Sequence, residues 1–342
     1  MLNGFERVNA ALNGEPVDKI PIMLHNFMLA AAEMNVSMGQ YRENPRLIAD
    51  CFIHSVEKYG LDSVFVDIDT ATLAGSVGVP VQFPENEPAR YHGACLNSLS
   101  EVKNLKRVNI ENYKYVQNWL EAVRLLKEHF GNEVYVRGNC DPAPFSLACS
   151  MRGINDFMLD LLMEEESLVK ELLEYATDIT SQFIRLMAQT GADMVSNGDS
   201  NAGPELVSAE MYEKFALPYE TRIVEEAHKE GLAYTLHICG NVDDILDKMV
   251  LTGADAFEID YKTNMHKAYN IFHDKATFIG NIDPSGVLAM GTPEMVYQKT
   301  IELLDVFRNT NRFILNAGCA IPSSTPEINI RNLLNAARDY KI

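Results

Sequence analysis

A single (β/α)8 TIM barrel over residues 1–342, an α/β fold with an insertion between its second and third strands, is the fold class the sequence predicts. Three observations predict it. Short, nearly continuous apolar runs recur along the chain, each followed by an amphipathic helical stretch, the pattern of a parallel sheet buried on both faces. No Pro/Gly/Ser-rich tract, low-complexity segment or long like-charge block divides the sequence into domains. The position after the first strand reads His25-Asn26-Phe27-Met28, without the glycine-rich phosphate turn of a doubly wound open sheet.

The predicted strands are 20–24, 64–68, 134–137, 193–196, 233–237, 256–259, 277–280 and 312–315. Between them, Asn44-Pro45, Thr292-Pro293-Glu294 and Thr325-Pro326-Glu327 each set a capping oxygen before a proline suited to the first helical turn. In the stretch 45–59, Leu47, Ile48, Cys51, Phe52, Ser55 and Val56 fall on one helical stripe. Gly60, Gly191, Gly231 and Gly253 follow helical stretches and precede strands, as helix-terminating glycines do. The surplus length lies mainly between the second and third strands, where Val79-Pro80-Val81-Gln82-Phe83 is expected to form an extra strand or lid.

Charge removes two classes of function. The formal net charge of −19 opposes binding to nucleic acid or to an anionic membrane surface. No apolar run approaches the roughly 20 residues that cross a bilayer, and the N-terminus lacks a secretory pattern, so a cytoplasmic location is expected. Six cysteines are too few for a disulfide scaffold and read as thiols or ligands. No Gly-x-Ser-x-Gly, His-Glu-x-x-His, Walker-type loop or Cys-x-x-Cys appears, which leaves serine hydrolase, classical metalloprotease and nucleoside triphosphatase chemistry unsupported.

Catalytic residues of such barrels project from the C-terminal strand ends. Here those positions hold His25 and Asn26; Asp67 and Asp69; Arg137, Asn139, Cys140 and Asp141; Asn197, Asp199 and Asn201; His237 and Cys239; Glu258 and Asp260; Asn281 and Asp283; Asn316 and Cys319. Helix caps would explain Asp and Asn there, but not His, Arg and Cys. His237 and Cys239 share a face by strand alternation, and Cys319 follows the last strand. One imidazole and two thiolates suit Zn2+, and three protein ligands leave the open position of a catalytic site. A helix beginning near Val242 is expected to aim its positive end at Cys239. Packing is the competing reading, since buried free cysteines are common core residues. It is the better reading for Cys51 and Cys140; Cys95 and Cys149 have no obvious partner, and His54, His129, His228, His266 and His273 read as surface positions.

The opening Arg7-Val8-Asn9-Ala10-Ala11-Leu12-Asn13-Gly14-Glu15-Pro16-Val17-Asp18-Lys19-Ile20-Pro21-Ile22 resembles the start of the uroporphyrinogen decarboxylase superfamily. So do Gly280-Asn281-Ile282-Asp283-Pro284 and Ala317-Gly318-Cys319-Ala320-Ile321-Pro322, so that the resemblance spans nearly the whole chain. Within that superfamily, Leu236-His237-Ile238-Cys239-Gly240-Asn241 with Cys319 resembles the zinc-binding His-x-Cys…Cys pattern of corrinoid-linked (methylcobamide:coenzyme M type) methyltransferases. The resemblance implies His237, Cys239 and Cys319 as zinc ligands. It also implies a methylated corrinoid co-substrate, normally on a partner corrinoid protein, and a small-molecule methyl donor or acceptor. No Asp-x-His-x-x-Gly corrinoid-binding segment occurs in the chain itself.

The expected reaction moves a methyl group between corrinoid and a thiol, methyl ether or other heteroatom substrate. Glu258, Asp199 and Asn281 are the expected catalytic residues, with Glu258 or Asp199 filling the fourth zinc position when substrate is absent. His25, Asp67, Asp69, Arg137, Asn139 and Asp141 are expected to line the substrate and corrinoid pocket. The alternative is metal-free decarboxylation of a tetrapyrrole carboxylate, with Arg137 and an aspartate near Asp67 as the working pair. It is disfavoured because 25–38, where the decarboxylases carry arginines, holds no Arg or Lys. A third reading, a docking module with structural zinc, is opposed by the three-ligand count, since structural sites are closed by four.

Overall fold

The computed structural model describes residues 1–341. Its strands are β1 (Ser63–Val66), β2 (Val81–Gln82), β3 (Arg90–Tyr91), β4 (Tyr135–Asn139), β5 (Met194–Gly198), β6 (Ala233–Ile238), β7 (Ala256–Ile259), β8 (Thr277–Ile282) and β9 (Phe313–Ala317). Seven of them form one curled parallel sheet in the order β1-β4-β5-β6-β7-β8-β9, while β2 and β3 pair as a small antiparallel ribbon. Every residue of β1, β4, β7, β8 and β9 is buried, as strands covered on both faces must be.

The expected first strand at 20–24 is a correction. It makes one isolated bridge, Ile22 to Leu315 of β9. Pro21 has no N–H to donate, so this flank is held by Leu315 N–H on the Pro21 carbonyl (2.9 Å) and Met23 N–H on the Leu315 carbonyl (3.0 Å). On the other flank, side chains replace a ladder: Ile22 N–H donates to Asp62 Oδ2 (3.0 Å) and Ser63 Oγ donates to the Ile22 carbonyl (3.1 Å). The segment thus stands between edge strands β9 and β1, tied to both.

Helix starts follow the sequence in two of three places. Asn44 caps Pro45–Tyr59 through Arg46 and Leu47 N–H, and Thr292 caps Pro293–Phe307 through Met295 N–H. Pro45–Tyr59 ends at Gly60 with φ 64°, a left-handed stop that a side chain would strain. Thr325 does not cap the last helix, Glu327–Asp339, whose N-cap is Pro326. Among the described residues no helix is long and apolar enough to cross a membrane.

The two-residue period of the strands positions the site. Phe65, Tyr135, Met194, Ala256, Ile279 and Ile314 form an apolar cluster with Val8, Ala11 and Leu12 of the N-terminal helix Gly4–Asn13. Two residues on, toward the C-terminal strand ends, the same face carries Asp67, Arg137, Ser196 and Glu258. The apolar floor therefore passes into a polar layer.

Candidate functional site

Arg137 is the first member of that layer, 1% exposed, with its guanidinium 3.7 Å above the Phe65 ring. It pairs with Glu258 Oε2 (2.5 Å) and donates from Nε to Ser196 Oγ (2.8 Å). The other Glu258 oxygen meets His25 Nδ1 (3.2 Å), and His25 Nε2 meets Asp67 Oδ2 (2.7 Å). Asn139 Nδ2 closes the chain on Asp67 Oδ1 (3.0 Å). Burial opposes the His25 cation, yet hydrogen bonds and charge from Asp67 and Glu258 outweigh it and raise the imidazole to about 9. Burial likewise opposes the Glu258 carboxylate, but Arg137 and the two histidines hold it well below the usual range.

The layer ends on the metal-type donors. His237 is the next-to-last residue of β6, registered with Glu258 of β7. Its Nδ1–H donates to the Glu258 carbonyl (2.9 Å), and its Nε2 faces Cys239 Sγ at 2.9 Å. Cys239 Sγ lies 3.7 Å from Cys319 Sγ, and the three donor atoms fall within 4.8 Å of one another. It is the only such group of three His, Cys, Asp or Glu among the described residues. A hydrogen bond from Cys319, with support from His237 and Ser200, holds the Cys239 thiol well below its ordinary value despite burial. Cys319, the donor of the pair, is pushed up by the same bond and by burial.

The expected helix near Val242 is absent: 242–245 forms a turn and only Leu246–Met249 is helical, so no helix dipole acts on Cys239. Gly240 N–H is instead spent on Asp260 Oδ2 (2.9 Å), and Asn241 Oδ1 takes Asp243 N–H (2.8 Å).

These donors open on a cavity of about 340 Å³. His25, Asp67, Asp69 and Asp141 line it with His237, Cys239 and Cys319; Phe27, Met28, Pro142 and Ala320 supply apolar wall. Pro88 and Tyr91, from the loop and strand of the ribbon, reach it as well. Among the described residues no Lys or Arg lines it. Asp69 is fixed by Ala71 N–H (2.8 Å), Thr72 N–H (2.6 Å) and Thr72 Oγ1 (3.0 Å), and burial raises it to about 6. Asp141 accepts the Gly198 N–H, and burial together with Asp67 raises it to about 7.

Other sequence-predicted residues lie behind this wall. Arg137, Asn139 and Glu258 support the lining rather than form it, and Glu258, engaged by Arg137 and His25, is not a free fourth ligand. Asp199 turns away: Oδ1 accepts Ser146 N–H (2.7 Å), Oδ2 is buried without a hydrogen-bond partner among the described residues, and burial raises Asp199 to about 6. Asn281 donates to the Asp260 carbonyl (3.2 Å) and is buried outside the cavity lining. Missed by sequence reasoning were Ser196, Ser200, Glu220 and the Phe65 platform. No motif flags them; only the strand period could have pointed to Phe65 and Ser196. Cys51, Cys140 and Cys149 are buried in the core, and Cys95 donates to the Met151 carbonyl (3.5 Å).

With this geometry in hand, comparison with known proteins is decisive: residues 3–340 match the family described as uroporphyrinogen decarboxylase (URO-D). The chain belongs to the URO-D family. A methylcobamide:CoM methyltransferase, MtbA, from Methanosarcina acetivorans is 30% identical over 342 residues, covering 98% of each chain. A uroporphyrinogen decarboxylase from Geotalea daltonii is 26% identical, covering 92% of this chain and 93% of its own. Among solved structures, a methyltransferase from Methanosarcina mazei superposes with a TM-score of 0.91 at 22% identity over 99% of both chains, a likeness of fold. The URO-D family therefore holds relatives of two chemistries at similar distance, and the site must separate them.

Proposed function

We propose that this URO-D family chain is a zinc-dependent methyltransferase moving a methyl group between a corrinoid (methylcobamide) on a partner protein and a thiol, methyl-ether or other heteroatom substrate. The observation that carries the reading is the convergence of His237, Cys239 and Cys319 on a cavity without Lys or Arg. The donor set fits zinc. Tetrahedral bonds of about 2.3 Å put two sulfurs about 3.8 Å apart, against 3.7 Å here. The Glu258 carbonyl presets the tautomer that frees Nε2. When bound on these residues, Zn2+ supplies Lewis acidity that holds an incoming thiol as thiolate.

The chain's own residues orient and insulate. The Arg137–Glu258–His25–Asp67 array fixes the Glu258 main chain and so the His237 ring, and the apolar wall excludes water from the sulfur nucleophile. In the thiol direction a sulfur–carbon bond forms as the cobalt–carbon bond breaks; both electrons of the latter stay with the corrinoid, and the thiol proton leaves to solvent.

The decarboxylase alternative loses its working pair: Arg137 is committed to Glu258 and Asp67 to His25 and Asn139. A polycarboxylate substrate would also meet Asp67, Asp69 and Asp141 with no cationic side chain beyond His25 and His237. Metal analysis of purified protein, joined to a spectral assay of methylcobalamin demethylation against thiols and aryl methyl ethers, tests the reading. About one zinc per chain is expected, with Cys319→Ser losing most of both metal and activity. Full activity in metal-free protein overturns it.

A further inference from the structure

We propose that the substrate thiol carries a protonated amine close to its sulfur, so that the site selects an aminothiol over an anionic thiol; this rests on the methyltransferase reading above. The decisive juxtaposition is between Asp141 and the donor cluster. Asp141 is 8% exposed and lines the same cavity as Cys239 and Cys319. A side-chain Cβ at Gly198 would lie 3.3 Å from both Asp141 carboxylate oxygens, and Gly198 is registered with His237 in the neighbouring strand. The carboxylate therefore sits one strand from the ligand imidazole, above the sheet end that carries Cys239.

No Lys or Arg in the protein is provided for it; the imidazole that acts on it, His237, belongs to the donor cluster. Among the described residues no Lys or Arg forms an ion pair with Asp141 or Asp69, and both histidines facing the cavity are already engaged, His25 between Asp67 and Glu258 and His237 between the Glu258 carbonyl and Cys239. A buried carboxylate without a counter-charge is costly unless a ligand supplies one. An ammonium group does so, and the faces of Phe27 and Tyr91 on the same cavity suit it further. A sulfonate or carboxylate tail would instead be desolvated against like charge, which discriminates strongly in a low-dielectric site.

The test uses zinc-loaded full-length enzyme and three thiols of one length, HS–CH2–CH2–X, with X an ammonium, a hydroxyl or a sulfonate. Methyl transfer from methylcobalamin gives kcat/KM for each, and calorimetry gives binding without turnover. The expected order is ammonium, hydroxyl, sulfonate, spanning at least about tenfold in both readouts. Asp141→Asn should shrink the ammonium-to-hydroxyl ratio at least about fivefold; comparing ratios cancels the intrinsic acidities of the thiols. Equal or reversed preference, or a ratio unmoved by Asp141→Asn, overturns the proposal while leaving methyl transfer standing. Selective ammonium binding without transfer to any thiol sustains the charge selectivity and sinks the methyltransferase reading instead.

Discussion

At the scale of single residues, Glu258 holds the site together. It is fully buried and takes Arg137 on one oxygen and His25 on the other, while its carbonyl orients His237. Glu258→Gln keeps the shape and removes the charge, leaving Arg137 buried without its counter-ion. A loss of about 3–5 kcal/mol is expected in denaturant unfolding; a loss below about 1 kcal/mol would show that Ser196 and the Phe65 face suffice for the guanidinium. His25 gives a pH signature of definite sign. Its folded value is raised from 6.5 to about 9, so its stabilisation is complete below about pH 6.5 and lost as pH climbs through about 9. The stability gap between wild type and His25→Gln, measured on zinc-loaded protein, should therefore close over that window and stay constant below it. A gap that widened with pH would contradict the Asp67–His25–Glu258 pairing. The juxtaposition of His237, Cys239 and Cys319 was legible in sequence because strand alternation puts His237 and Cys239 on one face and Cys319 follows the last strand. Asp199 and Asn281 were not placed correctly at the cavity because a strand-end position does not say which way a side chain turns; Ser146, whose N–H holds Asp199, sits on helix Pro144–Arg152 without a motif.

Among the elements, the sheet was read well wherever apolar runs were uninterrupted, and poorly where side chains stand in for backbone. The 20–24 segment looks like a strand, yet Pro21 limits its ladder and Asp62 and Ser63 complete it. After Cys239 the chain turns at Val242–Ile245 and the helix begins only at Leu246, four residues later than expected. One close approach is important for function. Gly318 precedes Cys319, and a Cβ there would lie 2.5 Å from Tyr261 N and 3.2 Å from Asp260 Cα, both main chain. Such contacts cannot be relieved by rotating a side chain. Gly318→Ala must shift the end of β9 and with it the Cys319 sulfur. Zinc affinity in a competitive chelator titration should fall by tenfold or more, on the order of what losing a supporting contact costs a metal site. Unchanged affinity would mean that Cys319 is not a ligand or that the 260–261 loop yields freely.

For the whole molecule, the arrangement separates what folds the chain from what it does. The −19 charge is carried by a fold whose apolar clusters include none of the three donors, and those donors hang from strand ends above a core that is complete without them. Metal should therefore adjust stability without deciding the fold. Binding to the folded chain alone, at free zinc a thousandfold above Kd, stabilises by about 4 kcal/mol. An unfolding entropy of about 2 cal/mol/K per residue over 342 residues converts this to a rise in Tm of about 6 °C. Chelation should lower Tm by that order and leave the far- and near-ultraviolet circular dichroism native at 25 °C, with zinc restoring the loss and Cys319→Ser showing neither change. A catalytic site with one open position behaves this way, whereas a structural zinc is part of the folding energy outright. Loss of near-ultraviolet signal on chelation at 25 °C would move the metal from chemistry to architecture, and with it the proposed role of the cavity.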